Sequence, residues 1–150
     1  MTAPSALELP HEDRCAFCDY LLGLRPYSIV TRQMGVAVFV TREQRGSPHL
    51  LVLPQEHRPS ILDLTDDEAQ AIGVVTRNVA RAINAKYAPP GISVWQNNGI
   101  PAHQVIPHFH VHVAGTLPSG GTNWGSVEEE KLSETDRIAC RIRDYLMTPR

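Results

Sequence analysis

Three short apolar runs open the ordered pattern of the chain. Tyr27–Thr31 is rich in β-branched and aromatic residues. Gly35–Thr41 reads Gly-Val-Ala-Val-Phe-Val-Thr, and His49–Leu53 reads His-Leu-Leu-Val-Leu before Pro54 halts it. Each predicts a strand, the latter two well buried. The pattern then changes period. Ala69, Ile72, Val75, Val79, Ala82 and Ile83 recur at steps of three and four, which predicts a long helix. Thr65 with Glu68 three residues on forms a capping box, and Asp66 and Asp67 suit the positive end of the helix dipole. Pro89, Pro90 and Gly91 end the helix near Tyr87. Strand signals return at Ile92–Gln96 and His108–Ala114, with a polar loop over 97–107 between them. A Gly-rich stretch, Thr116–Gly125, leads to a last helix over about Glu134–Met147, striped by Ile138, Ile142, Tyr145 and Leu146. Strands, long helix, strands, helix: this order predicts an α+β fold, a five-stranded, mainly antiparallel sheet with one long helix and a C-terminal helix. Residues 1–14 read as a flexible arm, 15–115 as the domain, and 116–150 as a loop-and-helix extension.

Composition narrows the class. The chain has 150 residues, 42% hydrophobic and 20% charged, which is one globular domain. A net charge of −2 gives no basic footprint, so a nucleic-acid partner is not expected. No run approaches the roughly 20 apolar residues of a membrane span, and the first 14 residues lack the apolar core of a secretory signal. Three cysteines, two of them only three apart, do not make a disulfide framework. They fit a reducing, cytoplasmic setting. Cys140, on the last helix, reads as a small buried hydrophobe.

The chemistry concentrates in one run, His108-Phe109-His110-Val111-His112-Val113-Ala114. On a strand the three histidines share one face, while Phe109, Val111 and Val113 share the other and can pack under the long helix. Three imidazoles in a row are a poor core, since each brings a donor and an acceptor that need partners. They can ligate metal, move protons or attack an electrophile. Alternate strand positions lie about 6.5–7 Å apart at Cα, which suits two adjacent metal ligands better than three in line. Cys15-Ala-Phe-Cys18 is a C-x-x-C unit. A redox role needs a thioredoxin-like βαβ setting that is absent here, and a closed zinc site needs two further ligands.

On these residues the sequence resembles the histidine triad family, whose motif alternates His and apolar residues as His108–Ala114 does. His49-Leu-Leu-Val-Leu-Pro-Gln-Glu-His57 is similar to another family segment, and Asn97 and Gln104 fall at family positions ahead of the triad. The resemblance spans Cys15–Gly115, about two thirds of the chain. It implies a nucleotide hydrolase or nucleotidyl transferase acting at the α-phosphate of a dinucleoside polyphosphate, nucleoside phosphoramidate or adenylate. It implies that His110 attacks phosphorus to give a covalent nucleotidyl-histidine. His112 would bind a phosphoryl oxygen and serve the leaving group, and His49 would orient an imidazole or carry a proton. Asn97 and Gln104 would stabilise phosphoryl charge. Phe39 and Leu51 would wall a base pocket, and Thr41 would stand near the ribose. It further implies a structural zinc on Cys15, Cys18, His57 and His108, and a homodimer.

Three departures bear on this. Thr41 stands where an acidic ribose partner is common, His103 where glycine is usual, and Val105 where one branch has a serine that serves amine leaving groups. They leave two alternatives open: a zinc-dependent hydrolase using the His cluster to activate water, and an inactive nucleotide-binding module. Trp124, in the Gly-rich loop, stands either as a flap over substrate or as a plain loop anchor.

Overall fold

The computed structural model describes residues 6–149. Five strands form one antiparallel sheet: β1 (Ser28–Gln33), β2 (Val36–Val40), β3 (His49–Pro54), β4 (Ile92–Trp95) and β5 (Val111–Gly115). Their spatial order is β1-β2-β3-β5-β4. Three helices complete the fold: α1 (Ala16–Leu21), α2 (Asp66–Tyr87) and α3 (Leu132–Met147).

The alternation of side chains divides the sheet into two working faces. Val36, Val38 and Val40 of β2, Leu50 and Val52 of β3, and Phe109, Val111 and Val113 point to α2 and α3, where Val75, Val79, Ile83 and Ile142 complete the main core. Ala37, Phe39, Leu51 and Leu53 point the other way and form a second cluster with Phe17 of α1. Both faces of β2 and β3 are therefore covered, so all their residues are buried. This is why those two runs are apolar without alternation. The histidines occupy the remaining part of the α1 face.

The expected capping box opens α2: Thr65 Oγ1 accepts from the Glu68 amide at 3.1 Å, and Glu68 accepts from the Thr65 amide at 2.8 Å. Strand β5 is shorter than its sequence pattern, and its ladder with β3 ends at Val52–Val111. Continuing the register would set Phe109 against Pro54, which has no N–H to give. The Phe109 amide instead donates to the Arg58 carbonyl at 2.6 Å. Two further expectations change. Cys140 is exposed, because the buried stripe of α3 runs through Thr135, Ala139 and Ile142 and leaves position 140 outward. Of the arm expected to be loose, residues 1–5 lie outside the described residues. The rest is tied down: the Glu8 carbonyl accepts from the Ile100 amide at 2.6 Å, and Glu12 Oε2 from the Ala16 amide at 3.4 Å.

Candidate active site and metal centre

One register row crosses the sheet: Phe39 pairs Leu51, Leu51 pairs His112, and His112 pairs Trp95. The His cluster sits at the β5 end of this row. Each of its imidazoles meets a different partner, and the partners assign the protons. A carbonyl can only accept, so a ring nitrogen facing one must carry hydrogen. His108 Nε2 lies 2.8 Å from the Pro54 carbonyl, so its Nδ1 keeps the lone pair. His110 Nδ1 lies 2.7 Å from the His108 carbonyl, so here Nε2 keeps it. His112 Nδ1 faces His49 Nε2 at 2.9 Å, leaving Nε2 as its other nitrogen. His49 Nδ1 stands 3.2 Å from the Arg45 amide, a donor, and 3.1 Å from the Glu43 carbonyl, an acceptor. That nitrogen finds a partner with or without a proton, so the His49–His112 pair can hold its shared proton in either tautomer.

Burial dominates the electrostatics and favours the neutral rings. It pushes His110 and His112 below the ordinary histidine range, His110 itself and His49 adding to the shift at His112. Burial pushes His49 down to about 4, assisted by the Arg45 charge and opposed by the hydrogen bond to Glu43. The unfolded chain, with His49 near 6.5, binds a proton that the folded chain refuses between these values. The stability held above pH 6.5 is therefore lost as pH falls towards 4, by up to about 3 kcal/mol for His49 alone. Thermal melts between pH 7.5 and 4.5 should show a falling midpoint; a midpoint that rises on acidification contradicts neutral burial.

The Cys pair lies beside this row. Cys15 caps α1, with its sulfur accepting from the Cys18 amide. The lone-pair nitrogen of His108 lies 3.3 Å from Cys15 Sγ and 3.6 Å from Cys18 Sγ, and His57 Nδ1 lies 3.5 Å from Cys18 Sγ. All four donor atoms fall within 4.8 Å of one another. Zinc bond lengths of about 2.3 Å to sulfur and 2.0–2.1 Å to nitrogen put tetrahedral S···N edges at about 3.5 Å. The cluster has those edges, and the Pro54 carbonyl supplies the outer contact that holds His108 in the ligating tautomer. Without a cation, burial and Cys15 push the Cys18 thiol up to about 12. The donor set thus fits a metal site.

Other expected residues fall differently. Phe39 and Leu51 do not open onto a pocket. Phe39 is fully buried beneath Phe17, Tyr20 and Tyr27, their ring centroids 5.4–6.0 Å away, because α1 covers this part of the sheet. Thr41 is buried at the end of β2, its hydroxyl accepting from the Glu43 amide. Gln104 braces its own loop. Its Oε1 accepts from Gly99, and its Nε2 donates to the Pro59 and Ile106 carbonyls, all within 2.9 Å. Its amide group is therefore committed to the backbone and not to a phosphoryl oxygen. Asn97 is half-buried, and among the described residues its side-chain amide has no hydrogen-bond partner. His103 points to solvent with φ +70°, which accounts for glycine being usual there. The sequence reading missed Trp95. Its ring lies parallel to His112 at 4.7 Å and 5.1 Å from His49, and the pairing of Ile92–Gln96 beside the His strand would have been the signal.

Residues 25–118 match the HIT domain family. The chain belongs to the HIT family. The family holds nucleotide-binding proteins and nucleotide hydrolases. Protein hit of Bacillus subtilis is 31% identical over 89% of this chain and 95% of its own length. Adenosine 5'-monophosphoramidase hnt1 of Schizosaccharomyces pombe is 30% identical over 74% and 78%. Among HIT structures, a Hit-like protein of Bartonella henselae superposes with a TM-score of 0.81 at 18% identity, covering 91% of this chain and 98% of its own. A zinc-bound histidine triad protein of Mycobacterium smegmatis superposes at 0.69 with 21% identity, covering 88% and 92%. No helix among the described residues of this HIT protein is long and apolar enough to cross a membrane.

Proposed function

We propose that the protein hydrolyses a nucleoside 5′-phosphate derivative through a covalent nucleotidyl-histidine on His110. The observation that carries this reading is the tautomer of His110. Its Nδ1–H is held by a carbonyl, and its buried, neutral Nε2 offers a lone pair. A neutral imidazole is a competent nucleophile at pH 7, and two displacements at phosphorus each cross a lower barrier than one. Attack forms the Nε2–P bond and breaks the bond to the leaving group. Water then attacks the same phosphorus, the N–P bond breaks, and the nucleoside monophosphate departs. His112 Nε2 passes a proton to the leaving atom and regains one from the attacking water, with the His49 contact setting which of its nitrogens carries hydrogen. Asn97 is the free amide for a phosphoryl oxygen; Gln104 serves by fixing the loop that carries it. The nucleoside lies towards Thr41 and the β2 side.

Of the substrate classes in play, nucleoside phosphoramidates are favoured by the amidase relative in fission yeast. Val105 is exposed and has no hydroxyl, so in this chain the amine's proton falls to His112. Zinc is assigned to Cys15, Cys18, His57 and His108 as a structural ion. Four protein donors close a tetrahedron and leave no position for an activated water, which counts against the zinc-hydrolase alternative. The test is a short incubation with adenosine 5′-phosphoramidate, quenched in base and read by intact mass and released AMP. One adenylyl increment with turnover is expected. Absence of AMP from this substrate, a dinucleoside polyphosphate and an acyl-adenylate alike would leave only a binding module.

We also propose a homodimer formed through β4 and α2. Val94 is 54% exposed on the helix side of the edge strand, and a groove of about 520 Å³ lined by Ile61, Leu64, Ala69, Ile72 and Gly73 runs along α2. A second copy supplies the matching strand edge and apolar face by symmetry. Light scattering on a sizing column should give twice the chain mass, and Val94→Asp should halve it. A wild type at monomer mass removes the proposal.

A further inference from the structure

Trp124 is held in place with unusual care for a side chain that is 74% exposed. Arg45 Nη1 donates to the carbonyls on both sides of it, Asn123 at 3.2 Å and Gly125 at 2.7 Å. The Asn123 amide donates back to the Arg45 carbonyl at 2.7 Å. A second clamp secures the same stretch: Arg42 Nε donates to the Glu130 carbonyl and the Glu130 amide to the Arg42 carbonyl, each at 2.8 Å. The irregular segment over 116–131 is thus stitched to the β2–β3 loop. That same loop supplies the Glu43 carbonyl and Arg45 amide that hold His49. The indole comes to rest 5.8 Å from Trp95, whose ring lies parallel to His112. An open aromatic face, fixed at its backbone and one ring removed from the His112 imidazole, is a stacking surface.

The position names the occupant. On the reading above, the nucleoside lies towards β2 and the reacting phosphorus at His110. What departs then lies towards the β4 edge, where Trp95 and Trp124 stand. Trp95 touches His112 directly, so a ring reaches this wall only if it is carried within a few bonds of the phosphorus. We propose that Trp124 and Trp95 form a leaving-group subsite for a planar ring, and that the substrate class is nucleoside 5′-phosphoramidates of arylalkyl amines. This inference rests on the His110 reading and deepens it.

Two adenosine 5′-phosphoramidates test it, one of 2-phenylethylamine and one of butylamine, amines of similar basicity. The wild type should favour the aryl substrate in kcat/KM by about tenfold, mainly through KM, the size of one aromatic contact. Trp124→Ala should bring the aryl substrate down to the alkyl one, and Trp124→Phe should restore the preference. Equal turnover of both by the wild type, or a preference that survives Trp124→Ala, overturns the subsite while leaving the His110 reading intact. An equal loss on both substrates in Trp124→Ala assigns the indole to the nucleoside or the fold and also overturns it. If the wild type turns over neither, the reading of His110 itself has failed.

Discussion

His110→Ala should lose at least about 10⁴-fold in kcat/KM on an adenosine phosphoramidate, because removing a covalent nucleophile takes away the whole two-step path. The adenylyl increment seen by mass should vanish with it. Fold stability should move little. The ring of His110 meets Phe17 edge-on at 5.0 Å and His112 at 4.8 Å, but it lies outside the sheet ladder and outside the donor set of the metal site. A melting midpoint close to wild type, measured beside the kinetics, separates a chemical loss from unfolding. Retention of more than a tenth of the wild-type rate would place the nucleophile elsewhere. His112→Asn is the informative companion. It keeps a polar side chain but cannot relay the proton shared with His49, so an adduct should still form from a substrate whose leaving group needs no proton.

Removal of zinc should act through structure. Structural zinc in small sites binds with apparent free energies of about 10–16 kcal/mol, comparable to the whole folding stability of a domain. Treatment with a strong chelator, or Cys18→Ala, is therefore expected to lower the melting midpoint by at least about 10 °C. Metal analysis should find one zinc per chain before treatment and none after. Activity should fall together with the order of α1, and return when zinc is restored to the chelated protein. Phe17 and Tyr20 ride on α1 and pack on Phe39, so freeing that helix uncovers the second core cluster. Loss of chemistry with an unchanged midpoint would instead mark a catalytic ion and revive the zinc-hydrolase alternative.

The frame of the fold was legible because its signals are local. The Thr65–Glu68 box, the stripe on α2 and the proline stop after Tyr87 each need only a few neighbouring residues. The histidine run was legible because alternation fixes which side chains share a face, whatever the sheet does around them. The Cys15, Cys18, His57, His108 set was named through family resemblance, and the donor atoms do converge.

What escaped depends on long-range packing. Phe39 and Leu51 look like pocket walls until α1 is laid over them. Gln104 looks like a free amide until its loop curls back to present Gly99 and two carbonyls to it. Trp95 is one aromatic at the end of a four-residue edge strand, and only the register with His112 gives it meaning. The arm over 6–14 has a composition that suggests no order. Yet a main-chain hydrogen bond from Ile100 fixes it, and sequence carries no mark of such a bond.

Two carbonyls, of Pro54 and His108, decide which nitrogen of His108 and which of His110 is bare. The same side chain is thereby told to face a metal at one position and a phosphorus two residues later. These instructions are written in main-chain atoms, which every residue possesses. Exchanging the neighbouring side chains cannot erase them; only a displaced backbone can. The division of labour among chemically identical rings is thus a property of the path of the chain, and a graft of the three histidines onto a regular strand would carry the letters without the grammar.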